Sequence, residues 1–231
     1  MTGFPSDFRH ELYPFLYEAA PHDAGRLDLA LAEVRGSTLQ KSRDIVALRA
    51  GLESEYRDQM VQAAGSMAER FAAGGKLLAF GNGGSATDAQ DAAADCMTPP
   101  VAGWPALPAL ALVNDVGVVT AVANDVGFEN VFVRQIIALG EAGDMALGFT
   151  TSGNSPNVVA ALGEARRRGM LTVALSGYDG GAVARAGTVD HCFVARVEDL
   201  PRIQEGHATV WHTLLELVQV ELADRTRGAR P

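Results

Sequence analysis

The sequence predicts an α/β protein: a five-stranded, mostly parallel sheet flanked by helices, preceded by an N-terminal helical extension. Two observations predict that class. Short apolar runs recur at KLLAF (76–80), LPALALV (107–113), DMALGFT (144–150), MLTVALS (170–176) and HCFVA (191–195), the form of strands buried on both faces. Helical patterns alternate with them, so the chain reads as successive βαβ units. The composition agrees, since 48% hydrophobic and 20% charged residues describe a chain that buries a core, not a disordered or fibrous one.

Taken in order, residues 27–73 place Leu, Val, Ala and Met at helical spacing among charges, without proline, and read as two helices. KLLAF stops at Gly81, where a glycine turn leads into the next helix. FENVFVRQIIALG (128–140) and PNVVAALGEARRRG (156–169) read as helices, the second ended by Gly169 at C′. After Pro201 a last helix runs to about Thr226 and aligns Trp211, Leu214, Leu215, Val218 and Leu222 on one apolar stripe. The tail RTRGARP reads as frayed. The extension is assigned to residues 1–51 and the sheet domain to 52–226.

Charge and composition exclude several functions. A net charge of −9 opposes binding to a phosphate backbone, so nucleic acid is not an expected partner. No apolar run is long enough to span a bilayer, and the Met1 region has neither a basic nor an apolar leader segment; the expected location is the cytoplasm, with no membrane partner. Cys96 and Cys192 lack CxxC spacing and read as small buried hydrophobes.

Two loops carry the ligand signal. Gly81-Asn82-Gly83-Gly84-Ser85-Ala86 joins a strand to a helix, and its glycines let backbone N–H groups face an anion. Ser85 and Asp88 have capping-box spacing. The hexad also satisfies G-x-G-x-x-[G/A], but the acidic residue that a dinucleotide needs about 20 positions on is missing, the next strand ending near Asn114 and Asp115. In the second loop, Thr150, Thr151, Ser152 and Ser155 supply hydroxyls ahead of Pro156 at N1, a helix N-terminus suited to phosphate. The loop has no Walker lysine, which suits a sugar monophosphate better than a triphosphate.

The strings GNGGSATDAQ, AVANDVGFENVFVRQ, TTSGNSPNVVAAL, LSGYDGG and RIQEGHATVWH together resemble the sugar isomerase (SIS) domain family, in its phosphoheptose isomerase branch, from about Leu52 to Leu222. The resemblance implies a flavodoxin-like three-layer sandwich, a homotetramer or dimer with sites between subunits, and isomerisation of sedoheptulose 7-phosphate to an aldoheptose phosphate, often with zinc. It places the phosphate on Thr150, Thr151, Ser152 and Ser155, and the sugar hydroxyls on Asn82, Gly83, Gly84, Ser85, Asn124, Asp125 and Gln204. The proton-transferring pair falls on Asp95 and His212. Two departures stand out: Asp95 where the family has glutamate, and Asp91 where it usually has a metal-binding histidine. The stretch Met97-Thr98-Pro99-Pro100 also replaces an arginine-containing one.

Aldose–ketose isomerisation through an enediol needs a base at carbon and an acid or base at oxygen, which a carboxylate and a histidine supply. Asp91 and Asp95, four apart on the helix after the first loop, share a face that Asp88 extends, while Gln204 and His212 stand two turns apart on the last helix with Glu205 and His207 between them. Aspartate reaches about 1.5 Å less than glutamate, which matters when reacting atoms must approach to roughly 3–3.5 Å. Asp91, Asp95, Gln204 and His212 form the one candidate metal set; it is oxygen-rich, so zinc is admitted but no cofactor is required. The alternative is a non-catalytic sugar-phosphate binder acting as scaffold or sensor, like the replication-initiator-binding branch. That branch has asparagine at the histidine position, whereas this chain keeps His212.

Overall fold

The computed structural model describes residues 24–228. The chain divides into two units, Met1–Arg43 and Asp44–Pro231. The described part of the first is the opening stretch of helix α1 (Ala24–Ala72), where the Thr38 and Ser42 hydroxyls donate to the carbonyls of Val34 and Thr38. Residues 1–23 of the expected extension lie outside the described residues. The two helices expected over 27–73 are one. Gly36, Gly51 and Gly65 cost it about 1 kcal/mol each relative to alanine, but Leu52, Tyr56, Met60, Met67 and Phe71 seat the helix in the core of the second unit, and packing of this kind dominates helix stability.

The second unit holds the sheet. β1 (Leu77–Gly81) leads into α2 (Gly84–Met97), then β2 (Ala109–Ala111), α3 (Val116–Val126), a 3₁₀ turn (Phe128–Asn130) and α4 (Val131–Leu139). β3 (Met145–Thr150), α5 (Pro156–Arg167), β4 (Leu171–Gly177), α6 (Gly181–Arg185), β5 (His191–Ala195) and α7 (Leu200–Gly228) follow. The five strands run in the order β2-β1-β3-β4-β5, and every pair is parallel. The expected strand 107–113 shrinks to Ala109–Ala111 at the sheet edge, because Leu107 N–H donates to the Cys96 carbonyl instead of to the ladder. α3 and α6 had no expectation, and α7 includes Arg225–Gly228 of the tail expected to fray.

Strand residues alternate between two cores. Leu77, Ala79, Leu147, Phe149, Val173 and Phe193 face α1, α2 and α7, while Leu78, Phe80, Ala146 and Ala174 face α4, α5 and α6. This is a three-layer sandwich. Asp144 pins the entry to β3 against that to β1, accepting from the Lys76 N–H at 2.9 Å and the Lys76 ammonium at 2.6 Å. The strand order reverses between β1 and β3, so the loops leaving their C-terminal ends flank the crevice where open α/β sheets bind ligands. Among the described residues no helix is long and apolar enough to cross a membrane.

Candidate active site

Both loops singled out in the sequence meet at this crevice. Asn82, leaving β1, and Asn157, in the first turn of α5, exchange amide hydrogen bonds in both directions at 2.8 Å each. Asn157 is 1% exposed, and its Oδ1 also accepts the Val158 N–H at 3.0 Å. This pair ties one loop to the other. The sequence does not single it out, because Asn157 reads there as one more polar residue at a helix start.

In the second loop the Thr150 and Ser155 hydroxyls lie 3.0 Å apart, and Ser152 Oγ accepts the Asn154 N–H at 3.2 Å. Ser155 occupies the N-cap position of α5 but its side chain makes no cap bond, so that hydroxyl is turned to Thr150 instead. Gly153 has φ +67°, and a Cβ there would collide with the Gly180 carbonyl, so the loop after β4 can close against the phosphate-type loop. The Val183 N–H to Gly153 carbonyl bond and the Ala182 N–H to Asn154 Oδ1 bond, both 2.9 Å, hold that closure.

The first loop departs from expectation at its cap. Gly83 caps α2, and Ser85 is a buried residue inside the helix whose N–H returns to the Asn82 carbonyl. No capping box forms. Asp88 instead faces Gln204 of α7, with Oδ2 buried and without a hydrogen-bond partner. Burial, with Asp91 adding like charge, pushes the Asp88 carboxyl up to about 6 against the pull of the Gln204 amide. Gln204 lies so close over Gly84 that a Cβ at that position would collide with its amide.

Further along the same two helices, His212 Nε2 stands 3.6 Å from Asp95 Oδ2, with the side chains 61% and 25% exposed. The Trp211 indole N–H donates to the same carboxylate oxygen at 3.0 Å. The expected acid–base pair is therefore together in one chain, α2 supplying the carboxylate and α7 the imidazole. Asp91 is exposed one turn away. Asn124 and Asp125 lie exposed at the end of α3, where the Asn124 amide donates to Asp125 at 2.8 Å. Cys96 is buried, and Cys192 partly so.

The proposed metal set does not close. Among the described residues no three histidine, cysteine, aspartate or glutamate side chains stand close enough to hold an ion. Within the set of Asp91, Asp95, Gln204 and His212, Asp95 and His212 approach to 3.6 Å, and Asp95 Oδ2 is already taken by an indole donor. As arranged here, these residues do not fit a resident zinc. His207, between Gln204 and His212 on α7, is 1% exposed, and neither ring nitrogen has a hydrogen bond of ordinary geometry. Burial drives its imidazole down to about 4, a fall that the Ser176 backbone offsets only in part.

A family model described as the SIS domain matches residues 42–177. The chain belongs to the SIS domain family. Within it, this SIS-domain chain is 42% identical over 177 residues to the phosphoheptose isomerase of Trichlorobacter lovleyi, covering 77% of this chain and 89% of that protein. It is 44% identical over 191 residues to the phosphoheptose isomerase of Desulfovibrio desulfuricans, covering 82% and 90%. The solved phosphoheptose isomerase from Neisseria gonorrhoeae superposes with a TM-score of 0.74 at 35% identity, covering 81% of this chain and 99% of that one. The SIS-domain chain thus stands in the phosphoheptose isomerase branch and is an isomerase.

Proposed function

We propose that this isomerase interconverts ketose and aldose forms of a sugar phosphate, sedoheptulose 7-phosphate first among them, through an enediol. The observation that carries the reading is the Asp95–His212 pair, 3.6 Å apart, in a chain whose switch-point loops are lined with hydroxyls and amides. Asp95 takes the proton from the carbon beside the carbonyl. His212 serves the neighbouring oxygen, and the two exchange roles as the proton returns to the adjacent carbon. Thr150, Thr151, Ser152 and Ser155 hold the phosphate, and Asn82, Gly83, Gly84, Ser85, Asn124, Asp125 and Gln204 meet the sugar hydroxyls. Residues 52–226 form the sugar-phosphate-binding domain behind the 1–51 extension, and the enzyme works in the cytoplasm.

The same reading includes a homotetramer with sites shared between copies. Ser85 and Asp95 are ten residues apart on α2, about 15 Å at the helical rise, which sets one copy's loops well away from its own acid–base pair. Static light scattering should give four times the mass of a 24.3 kDa chain. A monomer at micromolar concentration overturns shared sites.

The decisive experiment follows aldose formation from sedoheptulose 7-phosphate, with calorimetry alongside. Wild-type protein should turn it over, and Asp95→Asn should bind with little change while losing at least about 10³-fold in kcat. A wild type that binds sugar phosphates and converts none of them returns the protein to the scaffold or sensor reading.

A further inference from the structure

We propose that Trp211 is a positioning residue that compensates for the shortened Asp95 by fixing its carboxylate; the inference rests on the reading of Asp95 as the carbon base. Trp211 is 2% exposed, and its bulk belongs to the core between α7 and the sheet. Its one polar atom, an indole N–H that can only donate, needs a partner once buried. That partner is Asp95 Oδ2, at 3.0 Å.

His212, next in sequence, projects about 100° away around the helix and is largely exposed, yet its Nε2 reaches the same oxygen at 3.6 Å. One carboxylate oxygen is therefore held by a rigid donor anchored in the core, with the imidazole standing nearby. Oδ1 is left as the oxygen that receives the proton.

Asp95 stands where the resemblance places glutamate, a side chain with one more rotatable bond and more reach. A shorter carboxylate lacks that freedom to seek the substrate, so its productive position has to be imposed by its neighbours. Trp211 does this with a charge-assisted hydrogen bond.

The test is a double-substitution cycle in the full-length enzyme, with kcat and KM measured for wild type, Trp211→Phe, Asp95→Glu and the double variant. Trp211→Phe keeps an aromatic ring and loses the donor. It should lower kcat about 10- to 100-fold, the scale of a hydrogen bond to a charged group, with KM unchanged. In the Asp95→Glu background, where the longer side chain no longer depends on the indole, the same substitution should cost little. Equal losses in both backgrounds overturn the proposal and leave Trp211 as packing alone.

A second readout needs no turnover. The chain has two tryptophans, Trp104 and Trp211, so the indole N–H region of the NMR spectrum holds two side-chain signals and removing either residue assigns both. Asp95→Ala should shift the Trp211 indole proton, and an unmoved signal overturns the contact. If Trp211→Phe fails to fold, Trp104→Phe makes the same assignment. Full activity in Asp95→Asn would sink the catalytic reading, and the proposal with it. Lost activity in Asp95→Asn beside an unimpaired Trp211→Phe would sink the proposal alone.

Discussion

Two carboxamides that donate and accept in both directions do more than fill space. The Asn82–Asn157 pair connects β1's loop to α5 across the crevice, so the two loops are held at a fixed separation. Asn157→Asp tests this with a built-in switch. At pH 7.5 an aspartate still accepts from Asn82 Nδ2 but turns a bare oxygen on Asn82 Oδ1, and kcat/KM should fall about 10-fold. Once protonated it can donate again. A buried carboxyl has a raised pKa, so the ratio of variant to wild-type kcat/KM should climb as the pH is lowered from 7.5 to 5. A flat ratio would mean that the pair does not set loop separation. Residues differ in how much of this the sequence discloses. The closeness of Asp95 and His212 is legible because the motif strings put each on a helix that leads from the crevice. Trp211 hides in an apolar stripe that accounts for it without remainder, and Asp88 hides behind a capping spacing that the backbone does not use.

At the level of elements, the five strands are legible because each is a short apolar run ended by turn residues. The order of pairing is not, since no local pattern records which strand lies beside which. α3 is the instructive miss: VGVVTAVANDV is rich in β-branched residues that favour strands, yet it is a helix, opened by Asp115 accepting the Val118 N–H at 3.0 Å. None of its residues is buried, and Val116 is 68% exposed beside exposed Val118 and Val126. Val119, Val122 and Ala123 lean on the core, and the exposed apolar face that remains suits an interface between copies. Val116→Asp places an acid at a helix N-terminus, where the dipole favours it, so the fold should hold. Light scattering should then show a species smaller than the wild-type assembly, and an unchanged mass would remove α3 from the interface.

For the whole molecule, the buried imidazole of His207 ties the stability of the fold to pH. His207 is neutral in the native core, with its folded value near 4 against 6.5 in an unfolded chain. Between these values the unfolded state binds more protons, so stability is present above about 6.5 and drains away as the pH falls towards 4. The full loss is about 3 kcal/mol, a large part of what a typical domain has. Asp88 works the other way, because a carboxyl raised to about 6 gives up an unfavourable charge on acidification. Urea unfolding at pH 7 and pH 4.5 should therefore show wild type losing more stability than His207→Leu, the difference isolating the histidine from Asp88. Equal losses in the two proteins would clear His207 of the effect. The interior thus carries two opposed responses to acid, and a search for acid-tolerant forms belongs at residue 207, with Asp88 kept.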